Sequence, residues 1–240
     1  MTGIRKGEPW GEPSAGPADV AVDGDDAALA AAVSAHPPGV RLAWHPTPAA
    51  DFARAVGVTG RSDGATRDLP CDAMVVVAGV PSGEGSGPDG DRPQLAVNMA
   101  IFGFRPDQVR WSSPSHHLRV VVDGRVVHDG PTTGVVVANG QFLAGADLVP
   151  RGHPGDGRLE VQVYAVPRRQ RREMRERLAV GTHVPHPGIR QTTGRIVDVA
   201  LAGTGPRAPE REQLAIDGTA PVWAARLHVE VRERAFALVV

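Results

Sequence analysis

The chain has 240 residues, 41% hydrophobic and 22% charged but only 4% aromatic, and carries Lys+Arg 26 against Asp+Glu 27 for a net charge of -1. This is the composition of a globular protein with an aliphatic core, and the near-neutral balance excludes the global basic field that draws a protein to nucleic acid. The single cysteine, Cys71, excludes an internal disulfide and a cysteine-built metal cluster. No apolar run reaches the ~20 residues of a membrane span, and "MTGIRKGEPWGEP" lacks the pattern of a signal peptide. A cytoplasmic protein is expected, with peripheral contact as its only approach to a membrane.

Residues 1 to 18, rich in Gly, Pro and charge, are expected to wrap the surface with one short strand. "ADVAVDGDDAALAAAVSA" then reads as strand, acidic glycine turn and alanine-rich helix. After "HPPG" the pattern recurs: "VRLAW" is strand-like, "HPTPAA" is a turn, and "DFARAVGV" is a short helix with Asp51 as its expected cap. Two such units in series predict a small α/β portion with parallel strands.

From about residue 69 the texture changes to Val-rich runs between turns. "DAMVVVAGV", "QLAVNMAIFGF", "HLRVVVDGRVVHDG", "TTGVVVANGQFL", "LEVQVYAV", "RIVDVALAG", "REQLAIDG", "ARLHVEV" and "RAFALVV" all read as strands, and Asp123-Gly124 is a two-residue hairpin signal. Residues 81 to 93 form a Gly-rich insertion expected to be flexible. Residues 167 to 181, "PRRQRREMRERLAVG", predict a charged helix lying largely solvated. The fold class is therefore α+β, mostly β: an α/β portion over 1–68, an antiparallel β-sandwich over 69–232, and a terminal strand, 233–240, returning to the first portion.

The stretch "VVVANGQFLAGADLVPRGHPGDGRLEVQVY" carries Asn139-Gly140, Gly145, Pro150 and Asp156-Gly157 between two valine-rich runs. It resembles the diagnostic segment of the diacylglycerol kinase-like lipid kinases, which are related to sphingosine kinases and NAD kinases. The likeness continues through "GTHVPHPGIRQTTGRIVDV" and "LAIDGTAPV". It begins near residue 19, so a member shortened at its N-terminus is expected. The resemblance implies a nucleotide-carrying α/β domain, a β-sandwich closing over a lipid site, and magnesium-dependent phosphoryl transfer from ATP to a lipid hydroxyl.

The same resemblance implies site residues. Asp23, Gly24 and Asp25 align with the start of the Gly-Gly-Asp-Gly-Thr nucleotide loop, Asp25 keeping its central acid and Asp23 standing at a glycine. Thr47 and Asp51 align with the ends of a second loop of the form Gly-Thr-Gly-Asn-Asp, Thr47 standing at its first glycine. His153, Asp156 and Arg158 match a structural magnesium loop, with Asp156 giving its side chain and its flanking residues their carbonyls. Asp217 matches the proton acceptor of an Asp-Gly-Glu motif, although Thr219 stands at the glutamate position. Asp156-Gly157 and Asp217-Gly218 also read as plain turns.

Asp26 replaces a second glycine of the first loop and Ala27 its threonine, while Pro48, Ala49 and Ala50 replace the Thr-Gly-Asn of the second. Glycine admits phosphate to the backbone, whereas a carboxylate adds bulk and charge. The leading expectation is thus a family member that has lost ATP-dependent phosphorylation and binds a lipid or other small molecule. An active magnesium-dependent lipid kinase is the alternative, and a structural role as a homodimer through exposed sheet edges is a third. His183 and His186 have a metal-like spacing but read as structural, His116 and His117 read as surface residues, and Arg168, Arg169, Arg171 and Arg172 read as a solvated helix face.

Overall fold

The computed structural model describes residues 10–58, 67–79, 92–203 and 209–240. The chain opens with β1 (Glu12–Pro13), β2 (Val20–Gly24), α1 (Asp26–Ala35), β3 (Val40–Pro46) and α2 (Asp51–Val56). There follow β4 (Arg67–Gly79), β5 (Gln94–Ala96), β6 (Met99–Gly103), β7 (His116–Val122), β8 (Arg125–Thr132) and β9 (Gly134–Ala138). A short hairpin of β10 (Phe142–Leu143) and β11 (Ala146–Asp147) precedes β12 (Leu159–Tyr164), α3 (Arg171–Ala179), β13 (Ile189–Gly194) and β14 (Ile196–Leu201). The chain ends with β15 (Glu212–Ile216), β16 (Val222–Ala224) and β17 (Arg226–Val239).

A nine-stranded sheet has the central order β1-β4-β17-β14-β7-β8, with β5 beside β4 and β2-β3 attached through β3. The β2–β3 and β3–β17 pairs are parallel, as two strand-turn-helix units require, and the rest of this sheet is antiparallel. A six-stranded antiparallel sheet, β13-β12-β9-β6-β15-β16, packs over it. The class is α+β, mostly β, as the alternation of Val-rich runs implies.

Three cores follow from the side-chain period of two. Between the sheets lie Met74, Val76, Phe102, Val120, Val137 and Val229. In the α/β portion, Leu29 and Val33 of α1 and Phe52 of α2 pack on Leu42, Phe236 and Leu238. On the outer face of the second sheet, Met174 and Leu178 of α3 cover Val136, Ala138 and Tyr164. Strand β9 is buried throughout because Val135 and Val137 face one core while Val136 and Ala138 face another.

The elements depart from expectation in several places, among them the unread strands β13 and β16 and the division of "TTGVVVANGQFL" between β9 and β10. "QLAVNMAIFGF" is two strands, since the chain breaks at Val97-Asn98 and passes from one sheet to the other. "ARLHVEV" and "RAFALVV" are one strand, β17, with a register shift between Arg232 and Phe236. Strands β4 and β17 run through both the sandwich and the α/β core, so the residues 68/69 and 232/233 lie inside continuous strands. Helix α3 is not largely solvated: Arg171 is buried with Met174 and Leu178, its guanidinium donating to the carbonyls of Val166, Arg110 and Ser113. The Gly-rich insertion, apart from its last residues, lies outside the described residues.

Candidate binding cleft

A cleft of about 430 Å³ lies where α1 and α2 face the β10–β11 turn and the break between β5 and β6. Asp25, Asp26, Asp51 and Asp217 line it, and Arg54 and Arg105 are the cations of the lining. Gly24 leads into it at φ +136, where a Cβ would stand 2.6 Å from the Cβ of Ala28, so the entry to α1 requires glycine. Asp25 is the N-cap of α1 and accepts the Ala28 amide at 3.0 Å.

Asp26 turns inward from the first position of α1. Its Oδ1 accepts the Phe52 amide at 3.0 Å, and its Oδ2 accepts the Asn98 side-chain amide at 2.8 Å. Burial pushes its carboxyl up to about 7, with the Phe52 amide and Asn98 opposing and the Asp217 carboxylate adding to the shift. Asn98 thereby ties the helix side of the cleft to the chain break of the sandwich.

That break has a specific use. It turns three successive amides, Val97, Asn98 and Met99, onto the Asp217 carboxylate at 2.7, 2.9 and 3.0 Å. Burial raises Asp217 to about 6, its three amide partners hold it lower than burial alone would, and Asp25 pushes it higher. Asp217 and Gly218 both have positive φ, 47° and 74°, and the Thr219 amide returns to the Ile216 carbonyl. The plain-turn reading therefore holds together with a place in the cleft.

Asp51 does not cap α2. The N-cap is Ala50, without a side-chain bond, and Asp51 instead accepts the amides of Ala144 and Gly145 at 2.5 and 2.8 Å. Those two residues have φ of 49° and 77°, the left-handed pair of the β10–β11 turn, which aims both amides at one acceptor. A cap would have spanned three residues, whereas this contact spans more than ninety.

Of the residues singled out in the sequence, Asp25, Asp51 and Asp217 come together in the cleft, with Gly24 at its entry. Asp23 and Thr47 are exposed and stand outside the lining, Asp23 pairing loosely with His45 at 3.4 Å. Asp26 as a cleft acid, Asn98 and Arg105 were not singled out. Asn98 had a signal, since a lone polar residue interrupts "QLAVNMAIF" where an unbroken strand would bury it.

The 153–158 loop is a separate feature. His153 packs edge-on against Trp10 with ring centroids 4.9 Å apart, and its Nδ1 accepts the Gly155 amide. Asp156 accepts the Arg158 amide at 3.0 Å, the bond of a local turn. The loop is held by Asp72, a residue the sequence did not mark, whose carboxylate accepts the Gly157 amide at 2.7 Å and the Arg234 amide at 2.8 Å. Burial raises the Asp72 carboxyl above its ordinary range, while those two amides oppose the shift.

Elsewhere, His183 is fully buried and bonds the Leu148 carbonyl through Nε2, while His186 accepts the Gly188 amide. No group of three or more His, Cys, Asp or Glu is placed to hold a metal ion among the described residues. His116 is not a free surface residue, because its Nδ1 pairs with the buried Glu212. No helix of the described residues is long and apolar enough to cross a membrane.

Two packed sheets sharing long strands with a small α/β portion, and an acidic cleft at their junction, define an α+β sandwich protein with a polar binding cleft. Residues 108–236, more than half of the chain, match the YegS C-terminal NAD kinase beta sandwich-like domain, and the chain belongs to that family. Its fold is similar to that of a diacylglycerol kinase from Bacillus anthracis str. Sterne, with TM-score 0.66, 15% identity, and 92% of this chain and 76% of that one covered. It is also similar to yeast NADH kinase complexed with NADH, with TM-score 0.53, 11% identity, and coverage of 92% and 62%. No curated protein matches it in sequence. The diacylglycerol kinase-like resemblance read from residues 135 to 166 is thus confirmed at the level of family and fold.

Proposed function

We propose that this chain is a non-phosphorylating member of its family that holds a lipid-derived or other small molecule in the acidic cleft. One observation carries the reading: the cleft is lined by four carboxylates, and three of them hold backbone amides that converge on it. Asp26 takes Phe52, Asp51 takes Ala144 and Gly145, and Asp217 takes Val97, Asn98 and Met99. Asp26 fills the position where the resemblance places a glycine.

The lining disfavours a nucleotide phosphate that arrives without a cation. Four carboxylates face two guanidinium groups, and Arg105 is already paired with Asp107 at 2.9 Å. A carboxylate ~4 Å from a phosphate costs about 4 kcal/mol at an effective dielectric near 20 unless a cation lies between them. The lining favours instead a neutral or cation-bearing ligand with hydrogen-bond donors.

Asp217 supports a second reading, a magnesium-dependent lipid kinase, because a cleft carboxyl near 6 is suited to take a hydroxyl proton. Calorimetric titration with ATP, ADP and NAD, each with and without magnesium, separates the two. The binding reading expects no saturable nucleotide binding at millimolar concentration. Micromolar, magnesium-dependent ATP binding that Asp25→Ala abolishes would establish the kinase reading in its place.

A further inference from the structure

The geometry points to a membrane-docking surface for anionic lipid, formed by Trp111 and the arginines around the N-terminal end of α3. Trp111 is 68% exposed, the second most exposed of the large hydrophobic side chains among the described residues. The Arg168 guanidinium lies over its ring, 5.6 Å from the centroid. Arg110 adjoins it in the chain and Arg169 follows Arg168, both exposed.

Acids close to this surface are already spent. Asp107 pairs with Arg105 at 2.9 Å, Glu173 with Arg177 at 2.6 Å, and Glu176 with Arg172 at 2.9 Å. Arg110, Arg168 and Arg169 have no carboxylate partner among the described residues. The patch is therefore locally basic on a chain whose net charge is -1.

The tryptophan is displayed by a rigid support. Buried Arg171 donates to the carbonyls of Arg110 and Ser113, at 3.2 and 2.6 Å, and to the hydroxyl of Ser115 at 2.8 Å. These bonds fix the loop beneath Trp111 while leaving its indole in solvent. An indole at headgroup depth, flanked by guanidinium groups that meet lipid phosphates, is the chemistry of an interfacial anchor. The 3-10 turn Pro106–Gln108 links this surface along the chain to Arg105 of the cleft lining. The surface does not depend on what the cleft holds.

The test is cosedimentation of the full chain with phosphatidylcholine vesicles, with and without phosphatidylglycerol, at low and high salt. Binding is expected only with the anionic lipid and should weaken with salt. Removing each of Arg168 and Arg169 by substitution to Glu should weaken it about fivefold or more. Trp111→Ala should weaken it as well, and Trp223→Ala, at the other exposed tryptophan, should not. Thermal melting checks that each surface variant is folded. Absence of binding to anionic vesicles, binding insensitive to the Trp111 and Arg168 variants, or tighter binding to single-stranded RNA of equal phosphate content would each overturn the proposal.

Discussion

Between the sheets, Phe102, Leu118, Val137 and Val161 are buried against other apolar side chains, and each lies in a run that the sequence marked as a strand. At the cleft, the buried groups are Asp26, Asn98 and Asp217, and each is held by a hydrogen bond to a residue far away in the chain. The first region is a pattern, tolerant of exchange among aliphatic residues of similar volume. The second is a set of individual contacts in which the removal of one partner strands another. Stability should therefore depend on volume in one region and on specific atoms and pH in the other.

The largest test compares Phe102→Ala, in the sandwich core, with Phe236→Ala, where β17 enters the α/β core. Each should cost about 3–5 kcal/mol in urea unfolding. Since β4 and β17 belong to both cores, each variant should still unfold in a single transition; two transitions would show that the portions fold separately. Asp72→Ala comes next, stranding the Gly157 and Arg234 amides, and should cost about 2–4 kcal/mol. If chelator lowers the melting temperature of the parent protein by as much, an ion rather than Asp72 holds the 153–158 loop.

The third test concerns protons. Asp26 is at about 7 in the folded chain against an ordinary 3.8. The folded state therefore binds more protons than the unfolded state between those values, and stability falls as pH rises through that window. Asp217 acts in the same direction up to about 6. Asp68, Asp123 and Asp129 are shifted down, so their contributions are lost only as pH falls below the ordinary carboxylate range. Asp26→Asn should flatten the decline in melting temperature toward neutral pH, and an unchanged profile would sink the buried-acid assignment. The smallest effects belong to Asp23→Ala and Thr47→Ala, within about 0.5 kcal/mol, with no change in cleft binding.

The sequence made most of the longer strands, the Asp123-Gly124 hairpin and the parallel β2–β3 pair legible because period and turn chemistry are local, whereas β13 and β16 were not read. Asp25, Asp51 and Asp217 were found through a family resemblance, and their partners were not. Asp51 read as a cap because Asp before "FARAV" is a local signal, whereas its contact with Ala144 and Gly145 exists only once the β10–β11 turn is in place. Asp26 looked like a lost glycine; its burial is set by Phe52 and Asn98, which no window of the sequence contains together with it. Arg171 read as one more surface cation because the carbonyls of Arg110 and Ser113 that receive it come from a distant loop.

The continuity of β4 and β17 has a consequence for how the cleft receives its ligand. Two paired strands that cross from one core to the other act as a plate, and bending it would break ladder hydrogen bonds on both sides of the Arg232/Phe236 shift. Jaw-like closure is therefore costly, and the cleft adjusts chiefly at the β10–β11 turn and its own side chains. A ligand meets a nearly finished shape, so its association should show little of the slow, concentration-independent phase that a closing step introduces into binding kinetics.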